Sequence, residues 1–64
     1  MNDLIRLLTI DDEEPIRRAL RAFFEDFGIE VLEAPDGLSG LEVFRDAKPD
    51  IVLVDLRMPG MSGL

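Results

Sequence analysis

The sequence predicts a small α/β domain with the element order β-α-β-α-β, built on a parallel sheet. Two short apolar segments, Arg6–Ile10 and Ile51–Asp55, have the pattern of strands that are buried on both faces. Between them, apolar residues recur at spacings of three and four, which are typical of amphipathic helices. Because parallel strands are joined by right-handed helical crossovers, this alternation predicts a sheet of three parallel strands.

The second strand, Glu30–Ala34, is more polar than the other two, so we expect it at an edge of the sheet. The two apolar strands then lie side by side, which gives the strand order 2-1-3. The carboxyl ends of neighbouring parallel strands meet at one rim, where open α/β sheets place their ligands. This order predicts that Asp11, Asp12 and Asp55 lie together at that rim.

The first predicted helix begins after the acidic segment 11–14, with Pro15 in its first turn, and ends near Gly28. Phe24 lies beside the apolar stripe of this helix and is expected to be half exposed. The stripe consists of Ile16, Ala19, Leu20, Phe23 and Phe27, and four of these are expected in the core: Ile16, Leu20, Phe23 and Phe27. Basic residues fall largely off the stripe, where a solvated face is more common than a partner surface: Arg17, Arg18 and Arg21.

The second predicted helix follows the turn 35–37, where Asp36 can cap its first turn. Gly40 inside this helix costs roughly 1 kcal/mol relative to Ala, which indicates that another group packs closely against it. The apolar residues of this helix are also expected in the core: Leu38, Leu41 and Phe44.

Composition excludes several kinds of function. The 64 residues contain no Cys and no His, so thiolate metal sites, zinc chemistry and His-based acid–base catalysis are not expected. The net charge of −7 opposes binding to nucleic acids and to anionic membranes. Apolar runs of four or five residues are too short to span a bilayer, and the N-terminus lacks a signal-peptide pattern, so a cytoplasmic location is expected.

The three carboxylates at one rim predict a metal site. Two unit charges about 5 Å apart repel by roughly 3 kcal/mol at an effective dielectric constant near 20, so a counter-charge is expected. All-oxygen ligation favours a hard cation, with Mg²⁺ first, and Mg²⁺ commonly shares a phosphate oxygen with a substrate. An acidic pair after a strand is often only a solvated helix cap, and a single Asp at a strand end is usually structural. The conjunction of both at neighbouring strands favours phosphoryl chemistry.

Three motifs resemble those of response-regulator receiver domains, the CheY-like family with a flavodoxin-like parallel sheet. Leu7–Glu13 is similar to the first strand and acidic pair of that family. Glu33–Gly37, followed by Gly40 and Leu41, is similar to its second strand and the following helix start. Pro49–Leu64 is similar to its phosphoacceptor strand and the loop beyond. The motifs stand in the family's order, and the resemblance covers all 64 residues.

The resemblance implies a non-enzymatic phosphoacceptor module of a two-component system, with no catalytic residue beyond Asp55. Asp55 would accept a phosphoryl group from the phosphohistidine of a histidine kinase or phosphotransfer protein. For Mg²⁺, it implies Asp12 and Asp55 as direct ligands, the backbone carbonyl of Arg57 as another, and Asp11 acting through a bound water. It also makes the first helix, with its arginines, an alternative docking surface for the kinase.

The family has five strands and five helices, so residues 1–64 are expected to be the N-terminal half of such a domain. The Ser or Thr after the fourth strand and the Lys after the fifth, which read out phosphorylation, have no counterpart in the 64 residues, and Lys48 lies at the wrong end of the third strand. That strand, Ile51–Val54, is expected to be an exposed edge that pairs with a second copy of the chain.

Two other functions compete with this interpretation. The first is a phosphohydrolase of the haloacid dehalogenase type, but that family has a second Asp two residues after the nucleophile, where this chain has Arg57. The second is a non-phosphorylated receiver fragment that acts as a dimerising interaction module.

Overall fold

The structure is a computed structural model that describes residues 4–55. The described chain forms three strands and two helices in the predicted order: β1 Arg6–Ile10, α1 Glu14–Glu25, β2 Glu30–Ala34, α2 Gly37–Ala47 and β3 Ile51–Val54. The predicted fold class is confirmed, and the first two strands have the predicted bounds.

The sheet has the order β2-β1-β3, and both strand pairs are parallel. In the centre of the register, Leu8 of β1 lies opposite Leu32 of β2 and Val52 of β3. The chain reverses its direction across the sheet after β2, so right-handed crossovers place α1 and α2 on opposite faces. The predicted 2-1-3 order is therefore confirmed, and β1 is the only described strand with a neighbour on each side.

The core is centred on β1. Leu7, Leu8, Thr9 and Ile10 are all buried, which confirms the prediction that β1 is covered on both faces. On the α2 face, a cluster of buried and half-buried side chains joins all three strands to that helix: Leu8, Ile10, Leu32, Ala34, Val43 and Val54.

The local signals in the sequence place the helix ends. Pro15 lies in the first turn of α1, and Gly28 has a positive φ of 79° shortly after the helix ends at Glu25. Asp36 caps α2, because its carboxylate Oδ1 accepts a hydrogen bond of 2.7 Å from the Ser39 N–H.

Gly40 is the buried residue of α2, and it lies directly over Ile10 of β1. A Cβ atom at this position would lie 2.9 Å from Ile10 Cγ1, closer than ordinary van der Waals contact. The close packing that this glycine predicts is confirmed, and it draws α2 onto the carboxyl half of β1.

Several residues expected in the core are exposed in the described structure, so that expectation is wrong for them. They are Phe23 (57% exposed), Phe27 (69%), Leu38 (75%), Leu41 (66%) and Phe44 (48%). The reason is that three strands cover only part of each helix, so the apolar stripes extend beyond the sheet. The Phe23 ring instead packs edge-on against Phe24 and Phe27, at centroid distances of 5.1 and 5.2 Å. Phe24 is half-buried, as predicted.

β3 is also more exposed than a strand buried on both faces would be. Ile51, Val52 and Leu53 are 42%, 38% and 37% exposed. Within residues 4–55, β3 pairs with β1 on one side only, which agrees with the expectation that this strand forms an edge. In this part of the chain, neither helix is long and apolar enough to cross a membrane.

Candidate metal centre

Three carboxylates converge at the carboxyl-terminal rim of the sheet. Asp11 and Asp12 directly follow β1, and Asp55 directly follows β3. Each offers an oxygen that lies within 4.8 Å of the other two. The strand order produces this convergence because β1 and β3 are neighbours, and the Asp55 N–H continues their ladder by donating to the Ile10 carbonyl at 3.0 Å.

The three acids differ in exposure. Asp11 is buried, with 5% of its surface exposed, whereas Asp55 is half-buried and Asp12 is exposed. The Asp11 N–H donates to the Ala34 carbonyl at 3.1 Å, which extends the β1–β2 ladder into the loop. Its carboxylate Oδ1 accepts a hydrogen bond of 2.9 Å from the Glu13 N–H. Asp11 thus uses one carboxylate oxygen to shape the loop, while Asp12 lies at the solvent side of the cluster.

The donor chemistry of this cluster fits a hard divalent cation. The cluster contains three carboxylates and no nitrogen or sulfur ligand, a set that favours Mg²⁺ or a similar ion over zinc or copper. Like charges at these separations repel by roughly 3 kcal/mol per pair at an effective dielectric constant near 20, so a bound cation would stabilise the rim. The fourth predicted ligand, the Arg57 carbonyl, lies outside the described residues.

One arginine of α1 contacts the acidic loop, which sequence reasoning did not anticipate. Arg17 Nη1 donates to the backbone carbonyl of Asp11 at 2.6 Å, and Arg17 Nε pairs with Glu33 Oε1 of β2 at 3.1 Å. Arg21 binds the other oxygen of Glu33 at 2.7 Å. The expectation of a solvated basic face is therefore wrong for Arg17, whose side chain is only 14% exposed.

The neighbouring Arg18 does follow that expectation. It pairs with Glu14 four residues earlier at 2.8 Å, and both side chains are well exposed. A weak signal for the difference exists in the sequence, since Arg17 and Arg21 lie one turn apart on α1 and Glu33 interrupts an otherwise apolar part of β2. Only the three-dimensional packing of α1 on β2 shows that these residues meet.

Comparison with known proteins agrees with the fold and the acidic rim. The family model described as "Response regulator receiver domain" matches residues 7–64. The chain belongs to this family of two-component signalling domains, as its three motifs suggested. This assignment favours the receiver interpretation over the dehalogenase-type phosphohydrolase.

Individual relatives show how far the similarity extends. Transcriptional regulatory protein CseB from Streptomyces coelicolor is 44% identical over 64 residues, which is 100% of this chain and 27% of the relative. Sporulation initiation phosphotransferase F from Bacillus subtilis is 36% identical over 59 residues, which is 92% of this chain and 48% of the relative. The solved structure of chemotaxis protein CheY4 from Vibrio cholerae superposes with a TM-score of 0.85 at 33% identity, covering 91% of this chain and 48% of that one. The chain therefore spans about half the length of the phosphotransferase and of the chemotaxis protein, and about a quarter of the transcriptional regulatory protein.

Proposed function

We propose that this chain is the phosphoacceptor half of a receiver domain, in which Asp55 takes a phosphoryl group from the phosphohistidine of a histidine kinase or phosphotransfer protein. The observation that supports this most directly is the convergence of three carboxylates within 4.8 Å at the carboxyl-terminal rim of a receiver-type sheet. The relatives support it as well, since they include transcriptional regulators and a phosphotransferase.

The chemistry assigned to Asp55 is nucleophilic. A carboxylate oxygen of Asp55 forms a P–O bond as the P–N bond of the phosphohistidine breaks, and the electron pair of that bond returns to the imidazole nitrogen. The strand fixes this nucleophile, because the Asp55 N–H is bonded to β1 at 3.0 Å, while its half-buried side chain leaves an approach from solvent. Positioning and charge neutralisation account for most of the catalysis of phosphoryl transfer, and a rim of this kind offers both.

The same proposal assigns the ligands of Mg²⁺. Asp12 and Asp55 would bind the ion directly, Asp11 would act through a water, and the Arg57 backbone carbonyl would complete the protein ligands. When bound, the ion neutralises the negative charge that the carboxylates and the phosphoryl group bring together. The buried Asp11, with one oxygen held by the Glu13 N–H, is suited to this indirect role.

A phosphodonor experiment tests this function. The chain is incubated with Mg²⁺ and a small acyl phosphate, and intact-protein and peptide mass spectrometry locate any adduct. We expect one hydroxylamine-labile phosphoryl group on Asp55, none on Asp55→Asn, and a normal level on Asp50→Asn. Asp50 is the matched control because it flanks the other end of β3 and is bonded to Arg6 at the opposite rim.

The phosphohydrolase and the interaction module predict different results in the same experiment. Consumption of the phosphodonor without an accumulating adduct would favour a phosphohydrolase. If Mg²⁺ is present and the chain is not phosphorylated under conditions that label a known receiver domain, the proposal is contradicted. The interaction module is then the remaining hypothesis.

We further propose self-association through β3. Within residues 4–55, the outer edge of β3 is unpaired by any other strand, and none of its four residues carries a charge. Beside it lies an apolar groove of about 450 Å³ lined in part by Leu41, Phe44, Val52 and Val54. An apolar, uncharged edge of this kind favours strand pairing with a second copy across a two-fold axis.

Sedimentation velocity tests this association. We expect the unmodified chain to dimerise, Leu53→Lys to be monomeric, and Leu38→Lys to remain dimeric, because Leu38 is exposed on α2 rather than on the strand. Salt should strengthen the dimer, because it screens the repulsion between two chains of charge −7. A compact monomer at high protein concentration would contradict β3 pairing.

A further inference from the structure

We infer that Arg17 is a positioning residue for the acidic loop at residues 11–13, and that it thereby sets the affinity of the rim for Mg²⁺. The loop geometry is a property of the chain itself, whereas the effect on affinity rests on the proposed metal-binding function. The Arg17 side chain bonds to the backbone carbonyl of Asp11 and to Glu33. It acts through the backbone that carries Asp11 and Asp12.

The contact is made at the peptide bond between Asp11 and Asp12. Arg17 Nη1 donates to the Asp11 carbonyl oxygen at 2.6 Å. That oxygen lies in the same rigid plane as the Asp12 N–H, because a peptide unit is planar. Holding the oxygen therefore fixes the rotation of the whole unit, and with it the direction in which the Asp12 side chain leaves the backbone.

The other anchors of the loop leave this rotation undetermined. The Asp11 N–H is bonded to the Ala34 carbonyl at 3.1 Å, which fixes the entry to the loop. The Glu13 N–H is bonded to Asp11 Oδ1 at 2.9 Å, which fixes the buried carboxylate. Within residues 4–55, the Arg17 side chain supplies a hydrogen bond to the carbonyl between Asp11 and Asp12.

The guanidinium is itself held in place from β2. Arg17 Nε pairs with Glu33 Oε1 at 3.1 Å, and the two side chains are 14% and 19% exposed. Arg21 fixes Glu33 in turn, with Nη1 at 2.7 Å from Oε2 and Nη2 donating to the Val31 carbonyl at 3.2 Å. A charged, planar donor that is already held by one ion pair is preorganised for a second bond, so the loop position depends on the packing of α1 on β2.

The test compares Arg17→Gln with Arg18→Gln in the 64-residue chain. Arg18 is the matched control, because it lies next on the same helix and pairs with the exposed Glu14. NMR on the folded molecules gives the Mg²⁺ dissociation constant from shifts of the loop amides, and metal-free relaxation gives the order parameter of the Asp12 amide. For Arg17→Gln we expect Mg²⁺ affinity to fall roughly 10-fold, as for other residues that orient ligands. We also expect the order parameter to fall from about 0.85 toward the flexible range.

Further variants separate positioning from general stabilisation. Arg17→Lys keeps the charge but loses the planar guanidinium that reaches both Asp11 and Glu33. Its affinity for Mg²⁺ should therefore lie between those of Arg17→Gln and of the unsubstituted chain. If Arg17→Gln does not fold, Glu33→Gln loosens the guanidinium without deleting it and should shift both measurements in the same direction by a smaller amount.

The outcomes that would overturn the inference are specific. Folded Arg17→Gln with the affinity and Asp12 order parameter of Arg18→Gln would show that Arg17 only stabilises the fold. If the unmodified chain binds no Mg²⁺ at all, the proposed metal function fails, and the metal-free order parameter alone decides whether Arg17 positions the loop.

Discussion

The two rims of the sheet differ in how their carboxylates are arranged. At the amino-terminal rim, two carboxylates accept hydrogen bonds from Arg6, whereas at the carboxyl-terminal rim three carboxylates converge. Arg6 Nε pairs with Glu30 at 3.2 Å, and its backbone N–H donates to Asp50 Oδ2 at 2.9 Å. Arg6 Nη1 also donates to the Ala47 carbonyl at the end of α2, at 2.9 Å. A single residue of β1 thus joins the starts of all three strands and the end of one helix.

The contrast separates stability from function. At the Arg6 rim, the chain supplies both signs of charge, so the rim is stabilised on folding without a ligand. At the acidic rim, the chain concentrates negative charge at the carboxyl ends of the strands. A cation from solution can reduce the electrostatic repulsion among these carboxylates. Removing a charge is therefore expected to raise the free energy of unfolding at the acidic rim and to lower it at the Arg6 rim.

The largest effect is expected from Asp12→Asn at the acidic rim. Mg²⁺ affinity should fall by more than the roughly 10-fold expected for the indirect Arg17 variant, because a direct ligand is lost. Without metal, the free energy of unfolding should rise, by at most about 1 kcal/mol after solvent screening, since one like charge is removed. Urea unfolding with and without Mg²⁺ measures both changes.

Asp46→Asn is the control for this prediction, because Asp46 is an exposed acid of α2 that is remote from the rim. It should change neither quantity. A fall in the metal-free stability of Asp12→Asn would indicate that the rim is not under repulsion.

At the amino-terminal rim, Arg6→Gln is expected to change the free energy of unfolding with the opposite sign and to leave Mg²⁺ binding alone. It should lower the free energy of unfolding by about 1–2 kcal/mol, because it removes one half-exposed ion pair and one bond to a helix-end carbonyl. Mg²⁺ affinity of the folded protein should stay unchanged. Glu30→Gln should show only part of the loss, and an altered Mg²⁺ affinity in Arg6→Gln would show that the two rims are coupled.

The smallest effect concerns pH at the cap of α2, outside both rims. The backbone N–H of Ser39 is the main cause that lowers the pKa of Asp36 below its ordinary value of 3.8. The folded pKa is thus below the unfolded one, so the stabilisation is present above the unfolded value and is lost as pH falls through the folded value. Asp36→Asn keeps a cap but does not titrate. The difference in unfolding midpoint between the two proteins should be constant near neutral pH and change only below about pH 4; a constant difference down to pH 2 would contradict this cause.

Elements with strong local signals could be predicted from the sequence. The buried β1, the polar β2 and the Asp36 cap each depend on a few neighbouring residues, and the topological rule for parallel strands then predicted where the acids meet. The exposure of Phe23, Phe27 and Leu41 could not be predicted, because helical periodicity identifies an apolar face but not what covers it. The Arg17–Glu33 pair was also missed, because it joins α1 to β2 through packing that no local pattern encodes.

The central position of β1 also has a consequence for the order in which the structure assembles. Pairing of β1 with β2 closes a separation of 24 residues, as between Arg6 and Glu30, whereas pairing with β3 closes 44, as between Arg6 and Asp50. Longer closures cost more chain entropy, so we expect the β1-α1-β2 unit to form first and β3 to dock last.

Native-state hydrogen exchange can compare the β1–β2 pairing with the β1–β3 pairing directly. The Asp11 N–H is bonded to β2 and the Asp55 N–H to β1, both at about 3 Å, so geometry alone predicts similar protection. Late docking predicts that Asp55 exchanges faster, through an opening that detaches only β3. Equal rates would indicate that the sheet opens as one unit. With faster exchange at Asp55, this proposed phosphoacceptor would be the last residue to reach the acidic pair and the first to leave it. A cation bound by carboxylates of both strands would then also stabilise the sheet.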